Sequence, residues 1–539
     1  MPNFLERIFE QLERAAERRV VQEIFLGRIE GVTGRELLAQ VAAARIYLRG
    51  AGLQPGDRCA LLGPNSIRWV AMDLALMAER IIVVPLYWRQ APAELAAMMK
   101  DCEPKILLCS DAGLGQSVAA AWPQTPPRVL FEEALIGGAT PPAISNAPLP
   151  RQDDDLVTII YTSGTSGEAK GVCLNAGNIT HMLGCTTERL EQLMNATGRP
   201  DRVFHYLPLN FAASWILLLS CLSRGGELLL STDLNRLADE IRAAEPDYFL
   251  NVPTLLERVR RGVEEALSKR GRIIRALYAE AQAAWQREHV GRGRAFDGVW
   301  SDLGRVLIFS KIRARFGQNL RALICGSAPL APDTQQFFLM LGISVLQGYG
   351  LTETTGICTL DHPRQPVEPG SVGPAIPGIE MRVGENDEIL VRGPNVFPGY
   401  WKRPEETTRV IEDGWLHTGD QGEVNVRGNW RISGRLKNLI ILNSGHNIAP
   451  EPIEEKLQAL VPQAQQIVLV GNGRGYLCAL VTGSVNSSEV LAALDRVNTS
   501  LPHYRQVRNF TVLSEAFSAE NGLLTVNGKL RREAIAARL

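Results

Sequence analysis

Between residues 33 and 110 the spacing of apolar positions switches back and forth. Residues 35–50 place apolar side chains at helical intervals and lead into the short apolar run 58–62. Residues 66–78 lead into 81–85 in the same way, and 93–101 into 105–109. A helical period followed by a four- or five-residue apolar run predicts a helix feeding a strand buried on both faces. Repeated in series, the pattern predicts an α/β domain with a largely parallel sheet. The N-terminal stretch FLERIFEQLERAAERR mixes charge and apolar groups at helical spacing and predicts an amphipathic helix. Residues 122–152, rich in Pro and Ala, read as a surface connection. Residues 156–161 predict a strand that runs directly into a Gly/Ser/Thr loop, and helix–strand alternation then resumes as far as Leu360.

After Pro363 the pattern changes to short β-type runs, at 379–383, 388–391 and 422–425. It changes again near Gly434. There a short strand (438–442) and a helix (450–460) are followed by two strands (466–470, 476–482) and two helices (488–499, 530–539). The predicted architecture is α/β. A large N-terminal domain, 1–434, is built from mostly parallel α/β subdomains plus a small β-rich one, and a mobile α+β C-terminal domain spans 435–539. No internal repeat is evident.

A length of 539 residues exceeds what one core holds and fits this division. Apolar residues at 45%, charged residues at 21% and a net charge of −1 are ordinary for a soluble globular protein and argue against a polyanion-binding tail. The nine cysteines are scattered singly, with no C-x-x-C pair and no Cys/His ligand spacing, so reduced buried thiols are expected. No stretch approaches the ~18 apolar residues of a membrane span. The expected location is the cytoplasm, free or peripherally attached to a membrane.

The first chemical signal is YTSGTSGEAKG at 161–171. Small residues let backbone N–H groups and hydroxyls surround an anion, and Lys170 adds a positive charge. The common NTPase loop needs Gly-Lys-Ser/Thr, whereas here Ala169 precedes Lys170 and Gly171 follows it. The stretch TSGTSGEAKG closely resembles the TSGTTGxPKG loop of the adenylate-forming superfamily, which includes acyl-CoA synthetases, with Ala169 where proline is usual. Further resemblances follow in the family's order: LPLNF (207–211), GSAPL (326–330), QGYGLTE (347–353), WLHTGD (415–420), GRLKNLI (434–440), SGHNIAPEPIE (444–454) and NGKLR (527–531). Together they cover roughly residues 30–539.

The resemblance implies a division of roles. Thr162, Ser163, Gly164, Thr165, Ser166, Gly167 and Lys170 would hold the phosphates of ATP. Gly326, Ser327 and Ala328 would lie along the adenine with Gly348, Tyr349 and Gly350. Thr352 would contact phosphate, and Glu353 with the hydroxyl of Thr165 would hold Mg²⁺, which favours oxygen ligands and substrate phosphates. Asp420 would accept hydrogen bonds from the ribose hydroxyls. Arg435 would reach the ribose or phosphate, Lys437 would be the hinge, and Lys529 would be the catalytic lysine. Phe211 and Trp215 would line the carboxylate substrate's site. Gly445, His446 and Asn447 would face the thiol. His417 needs no catalytic role.

The implied activity is that of an acid–thiol ligase. A carboxylate attacks ATP to give an acyl-adenylate, and the acyl group then passes to coenzyme A. A long helical insertion between 268 and 326 resembles long-chain fatty acyl-CoA synthetases. Residues 251–320 carry 14 Lys/Arg against 7 Asp/Glu, a basic amphipathic stretch suited to anionic lipid. Two further readings fit the same residues: an acyl- or aryl-AMP ligase that loads a carrier-protein phosphopantetheine, and a catalytically inactive nucleotide- or acyl-binding protein. No nucleic-acid-binding motif accompanies the basic segment.

Overall fold

In the computed structural model the described residues are 3–135, 147–163, 169–195, 198–289, 291–518, 520–524 and 530–538. They form two compact units: 1–380 with 391–416, and 381–390 with 417–539.

The first unit is organised by two sheets. One has the spatial order Gly399–Tyr400, Ala169–Asn175, Leu156–Ser163, Ile82–Leu86, Arg58–Leu62, Ile106–Cys109, Arg128–Leu130. All its pairings are parallel except the two made by Ala169–Asn175. The other runs Thr359–Leu360, Ser344–Tyr349, Ala322–Cys325, Tyr248–Asn251, Arg202–His205, Glu227–Ser231, Arg19–Phe25, Arg28–Thr33. It is parallel apart from its two edge strands.

Both sheets are buried on both faces, which explains their uninterrupted apolar strands. Cys59 and Leu61 belong to a central core, and Ala60 and Leu62 to an outer one. Val203, Leu228 and Leu230 join the same central core, and Phe204 and Leu229 a second outer one. Helices Ile67–Ala78 and Ala212–Ser223 pack in the central layer. Nearly every residue of each is buried, as an all-round apolar helix requires. Local signals start the helices. The Thr33 hydroxyl accepts from Glu36 N at 3.3 Å while Glu36 Oε2 accepts from Thr33 N at 2.8 Å, a reciprocal cap.

The second unit holds a three-stranded sheet of Gln466–Val470, Leu477–Thr482 and Val507–Leu513. Helices Glu451–Leu460 and Ser487–Asn498 bury their apolar faces in its main core. The C-terminal helix Arg532–Ala537 is tied by Arg532, whose two terminal nitrogens donate to Glu454 at 2.8 and 2.5 Å. Glu454 Oε1 also accepts from Leu469 N at 2.6 Å.

Some elements differ from the sequence prediction. Part of the expected connection 122–152 is structured: Arg128–Leu130 adds an edge strand beside Ile106–Cys109, and a helix, Phe131–Leu135, follows. Three residues behind Pro126 and Pro127 are too few to show a period. The expected strand at 438–442 shrinks to Ile440–Ile441 because a 3₁₀ turn occupies Leu436–Asn438. The strand Val507–Leu513 was not predicted, because its half-exposed pattern contains three polar residues, Arg508, Asn509 and Thr511.

In the central layer Trp215 Nε1 donates to Asp73 Oδ2 at 2.8 Å, and both side chains are buried. Burial raises the Asp73 carboxyl from 3.8 to about 7, against the opposing effect of the indole hydrogen bond. The folded state therefore keeps this proton to higher pH than the unfolded chain. The group's contribution to stability falls as pH rises from about 4 toward 7. We expect Asp73→Asn to raise the thermal midpoint of the first unit relative to the native protein by an amount that grows from pH 5 to pH 8. Thermal unfolding at several pH values checks this, and a pH-independent difference contradicts it.

Candidate functional site

Parallel α/β sheets open their ligand crevices at the carboxyl ends of the strands. The sequence-selected residues of the first unit gather there. Thr162 and Ser163 end the strand Leu156–Ser163, and Lys170 returns opposite Thr162. Gly326–Ala328 follow Ala322–Cys325, and Gly348 and Tyr349 end Ser344–Tyr349. Residues Gly164, Thr165, Ser166 and Gly167 lie outside the described residues, as does Lys529.

Glu353 sits in a 3₁₀ turn, Thr352–Thr354, at the end of the second sheet. Its Oε1 accepts from Tyr400 Oη at 2.8 Å, and its carbonyl accepts from Phe397 N at 2.9 Å. The other carboxylate oxygen has no hydrogen-bond partner among the described residues, and the side chain is half-exposed. Burial, then the nearby Glu353 charge, pushes the Tyr400 phenol up, so it stays a donor. Lys170 pairs with Glu406 and stands over the Tyr400 ring, 5.3 Å from its centroid. The Lys170 hydrogen bond holds Glu406 below its usual carboxylate range. Two acids, a lysine and a phenol thus converge where the ends of the two sheets meet. No group of three or more His, Cys, Asp or Glu side chains able to hold a metal occurs among the described residues. A single carboxylate with an open oxygen fits a cation that keeps water and substrate phosphates as its other ligands.

The glycines nearby are set by close backbone approach. A Cβ on Gly350 would lie 2.4 Å from Gly356 O and 2.5 Å from Ile357 Cα. A Cβ on Gly326 would lie 3.2 Å from Gly348 O, so these two segments run side by side. Ser327 adopts φ 74°, turning the chain sharply at the exposed Ser327–Ala328 step. Behind them, Gln347 Nε2 donates to Gln335 Oε1 and to Ser371 O, each at 2.9 Å. Its backbone N–H donates to Asp361 Oδ2 at 2.8 Å. This buried network fixes the strand end that presents Tyr349.

A cavity of about 800 Å³ lies on the outer side of the second sheet. Its walls are mostly apolar and include Phe249, Leu256, Val259, Val263 and Ile308. Asn251 lines it at the carboxyl end of Tyr248–Asn251, where the Asn251 carbonyl accepts from Gly326 N at 3.3 Å. Its side-chain oxygen is buried and has no partner among the described residues. Ile274 and Leu307, 41% and 45% exposed, line the cavity elsewhere, so it reaches from the Asn251 strand end to the surface.

Phe211 caps the buried helix Ala212–Ser223, half-buried, with its ring 6.1 Å from Tyr87. Trp215, one turn on, is a core residue whose N–H is taken by Asp73.

In the second unit, Arg435 Nε donates to Asp420 Oδ1 at 2.9 Å across antiparallel strands that pair these two residues. Asp420 is buried, and its N–H donates to Thr418 Oγ1 at 3.1 Å. His417 Nδ1 lies 2.8 Å from Glu388 Oε2, a hydrogen-bond partner that explains it without catalysis. Lys437 is exposed in the turn Leu436–Asn438. Gly445, with φ 82°, turns the tip of the hairpin that Asn447 leaves, and His446 stacks on Tyr504 at 4.3 Å.

Sequence reasoning missed Tyr400, Glu406 and Asn251. Tyr400 and Glu406 sit in GYWKRPEE, whose clustered aromatic and charged residues are the one signal that pointed there. Asn251 gives none, being a single polar residue at a strand end.

Comparison with known proteins agrees with the order of motifs. The sequence model described as AMP-binding enzyme matches residues 8–401, and that described as AMP-binding enzyme C-terminal domain matches 437–538. Long-chain-fatty-acid–CoA ligase FadD15 of Mycobacterium bovis is 28% identical, covering 99% of this chain and 95% of its own. Long chain acyl-CoA synthetase 1 of Arabidopsis thaliana is 31% identical over 81% of this chain and 71% of its own. Among solved structures, the ATP-bound RpMatB-BxBclM chimera B3 has a TM-score of 0.76 at 25% identity, covering 99% and 98% of the two chains. The o-succinylbenzoate coenzyme A synthetase of Bacillus subtilis, solved with ATP and magnesium ion, has a TM-score of 0.74 at 21% identity and 99% coverage of both chains, and shares the fold.

Eight of the nine cysteines are buried, and Cys478 is the partly exposed one. Burial raises the thiols, Cys109 to about 11 and Cys102 and Cys173 to about 12. None is poised as a nucleophile. We expect an aromatic disulfide reagent to titrate at most Cys478 in the native protein and all nine thiols after unfolding. Rapid native labelling of a second cysteine would contradict this.

Proposed function

Because this chain belongs to the AMP-binding enzyme family, we propose that it is an ATP-dependent acid–thiol ligase that converts a long-chain fatty acid to its coenzyme A thioester through an acyl-adenylate. The observation that carries the choice of acid is the apolar cavity that starts at Asn251, beside Gly326. Its volume lies within the ~300–1,000 Å³ of small-molecule sites, and its mostly apolar walls suit an alkyl chain. Each methylene buried there contributes about 0.8 kcal/mol, so two more carbons raise affinity about tenfold while the cavity has room.

The first half-reaction brings two anions together. At 4 Å two unit charges repel by ~1 kcal/mol in water and ~4 kcal/mol at an effective dielectric of 20. Lys170, Arg435 and Lys529 offset that repulsion, with the backbone N–H groups of 162–167 around the phosphates. Glu353 with Thr165 would hold Mg²⁺, which would supply neutralisation of phosphate charge. Tyr400 orients the Glu353 carboxylate by taking Oε1. Asp420 accepts from the ribose, and Tyr349 lies against the adenine with Gly326–Ala328 and Gly348–Gly350 beneath it. Thr352 contacts phosphate, and Phe211 stands beside the acid's carboxylate. The carboxylate is already ionised near neutral pH, so no general base is required.

The second half-reaction exchanges groups of the C-terminal domain about the hinge Lys437: Lys529 withdraws and the loop Gly445–Asn447 meets the thiol. The acid class also favours peripheral contact with a membrane, into which long-chain acids partition. No described helix is long and apolar enough to cross one.

Pyrophosphate release with ATP, Mg²⁺ and acids from octanoate to stearate, with and without coenzyme A, tests the reading. Release that rises with chain length and is accompanied by a coenzyme A thioester is expected. Release without thioester points instead to a carrier-protein acceptor, and silence across all acids to an inactive binder. Val259→Trp, which fills the cavity, should cost about tenfold in kcat/KM on stearate, the worth of two methylenes, and spare octanoate.

The Lys529→Ala variant separates the half-reactions. Adenylation should fall by about 10²–10³, the typical loss of one transition-state donor, while preformed acyl-AMP is still converted to thioester. Single-turnover assays of each half-reaction check this, and equal loss of both would sink the assignment.

A further inference from the structure

Lys170 lies near the start of the strand Ala169–Asn175, and its ammonium group pairs with Glu406. Local structure makes this pair. The strand Gly399–Tyr400 joins the same sheet edge with Tyr400 opposite Val172, and Trp401 N donates to Gly171 O at 2.8 Å. Pro404 then opens the helix Pro404–Val410, as its fixed φ and missing N–H allow. The helix is clamped back on the strand. Tyr400 N donates to Thr407 Oγ1 at 2.9 Å, and a Cβ on Gly399 would lie 2.7 Å from Thr407 Cγ2. Glu406, the residue before Thr407, is thereby set beside Lys170.

Each member of the pair has a second partner. Arg403 Nη1 donates to Glu406 Oε1 at 3.4 Å, and Arg403 Nη2 lies 3.9 Å from Asp101 Oδ1. Asp101 is itself fixed: Tyr161 Oη donates to its Oδ2 at 2.6 Å, and Trp401 Nε1 to its carbonyl at 3.2 Å. Lys170 has the Tyr400 ring, whose centroid is 5.3 Å from Nζ and whose hydroxyl is engaged by Glu353. If Lys170 and Glu406 part, Arg403 remains for the acid and the ring for the lysine. The two side chains are 20% and 26% exposed, so the pair is only partly desolvated and separates at small cost. Charge balance points the same way. The three carboxylates Glu353, Glu406 and Asp101 outnumber the two cations Lys170 and Arg403 by one. Such a cluster receives a polyanion well only when an acid gives up its cation.

We propose that Glu406 is a displaceable counter-ion for Lys170: it holds the ammonium group in place, yields it to the phosphates of ATP, and reclaims it as pyrophosphate leaves. Glu406 is thus a positioning residue that acts through Lys170, and the proposal rests on the reading of Lys170 as a phosphate contact. Triphosphate and pyrophosphate must each displace the carboxylate before they gain the lysine, so Glu406 weakens the hold on both. The gain is in release, because pyrophosphate departs from a lysine whose partner stands beside it.

Titration calorimetry with Mg·ATP and with Mg·pyrophosphate tests this without any acid substrate. Glu406→Gln should bind both about threefold more tightly, the typical worth of a partly exposed pair, and Glu406→Asp should stay near the native protein. Lys170→Gln should weaken both, and adding Glu406→Gln to it should change little further. In turnover, Glu406→Gln should lower the KM for ATP without raising kcat, and pyrophosphate should inhibit it about threefold more strongly. A merely structural role would move affinity the other way, so unchanged or weaker binding by Glu406→Gln overturns the proposal. A gain of equal size with and without Lys170 also overturns it, since Glu406 would then repel phosphate directly. Native-like binding of Mg·ATP by Lys170→Gln removes the phosphate reading of Lys170, and the counter-ion role with it.

Discussion

Parallel strands force a chemical asymmetry on a sheet: every carboxyl end, with its free carbonyls and its turn into the next helix, lies along one edge. The first unit depends on this constraint twice. Ser163, Asn251, Cys325 and Tyr349 each end a parallel strand, and the residues that follow them are the ones with chemical potential. The hydrogen bond from Tyr400 to Glu353 then ties a strand of one sheet to the turn that ends the other. A carboxylate, a lysine and a ring are brought together by topology, from positions as far apart in sequence as 170 and 406. The central helices make this arrangement rigid. They are apolar all round, so both sheets must stay clamped upon them, and the one carboxyl buried there, Asp73, is accommodated by an indole N–H and by keeping its proton.

Two of the candidate-site cations face carboxylates: Lys170 faces Glu406, and Arg435 faces Asp420. Such pairs keep a basic group oriented while leaving it open to competition from a better anion. A triphosphate carries more charge than one carboxylate and would be favoured over Glu406 on Lys170. Glu353 works by the opposite logic. The Tyr400 phenol takes one of its oxygens and adds no charge, so the carboxylate loses rotational freedom without acquiring a charged partner among the described residues.

The helix–strand alternation from 33 to 110 was legible because each strand is buried on both faces and each helix is longer than three turns, so the two periods separate cleanly. What hid was short or half-exposed. Arg128–Leu130 has three residues, and Val507–Leu513 is a half-exposed edge strand that mixes polar and apolar residues on both sides. The candidate site was legible where chemistry demands a fixed order of small and charged residues, as at 162–170, 347–353 and 415–420. It was not legible where position is set by tertiary contact alone. Tyr400 acquires its role only because a strand of two residues pairs with Val172. Asn251 acquires its place only because the outer helices leave a space beside it. Trp215 shows the converse: an aromatic near a suggestive motif, whose indole is used by the core.

That space needs an explanation, since protein interiors pack at crystal-like density and close voids where they can. The outer face of the second sheet presents Phe204, Leu229, Phe249, Leu323 and Val345, and something must cover it. The covering helices meet it at their edges and are held to one another by polar clasps outside the apolar layer. Arg287 bridges Glu280 at 2.9 Å and Asp297 at 2.6 Å, Ser301 donates to Glu288 at 2.8 Å, and Arg260 donates to Thr334 at 3.1 Å. These clasps tie the covering helices to one another rather than to the sheet. The insertion therefore has two apolar sides, one closing the outer core through Ile308, Phe309 and Phe316, the other turned away from it. Ordinary globular packing would bury one apolar stripe per helix. The same helical run thus lines the cavity through Ile308 and Phe316 and carries the exposed apolar row from Phe296 to Val306 on its other side.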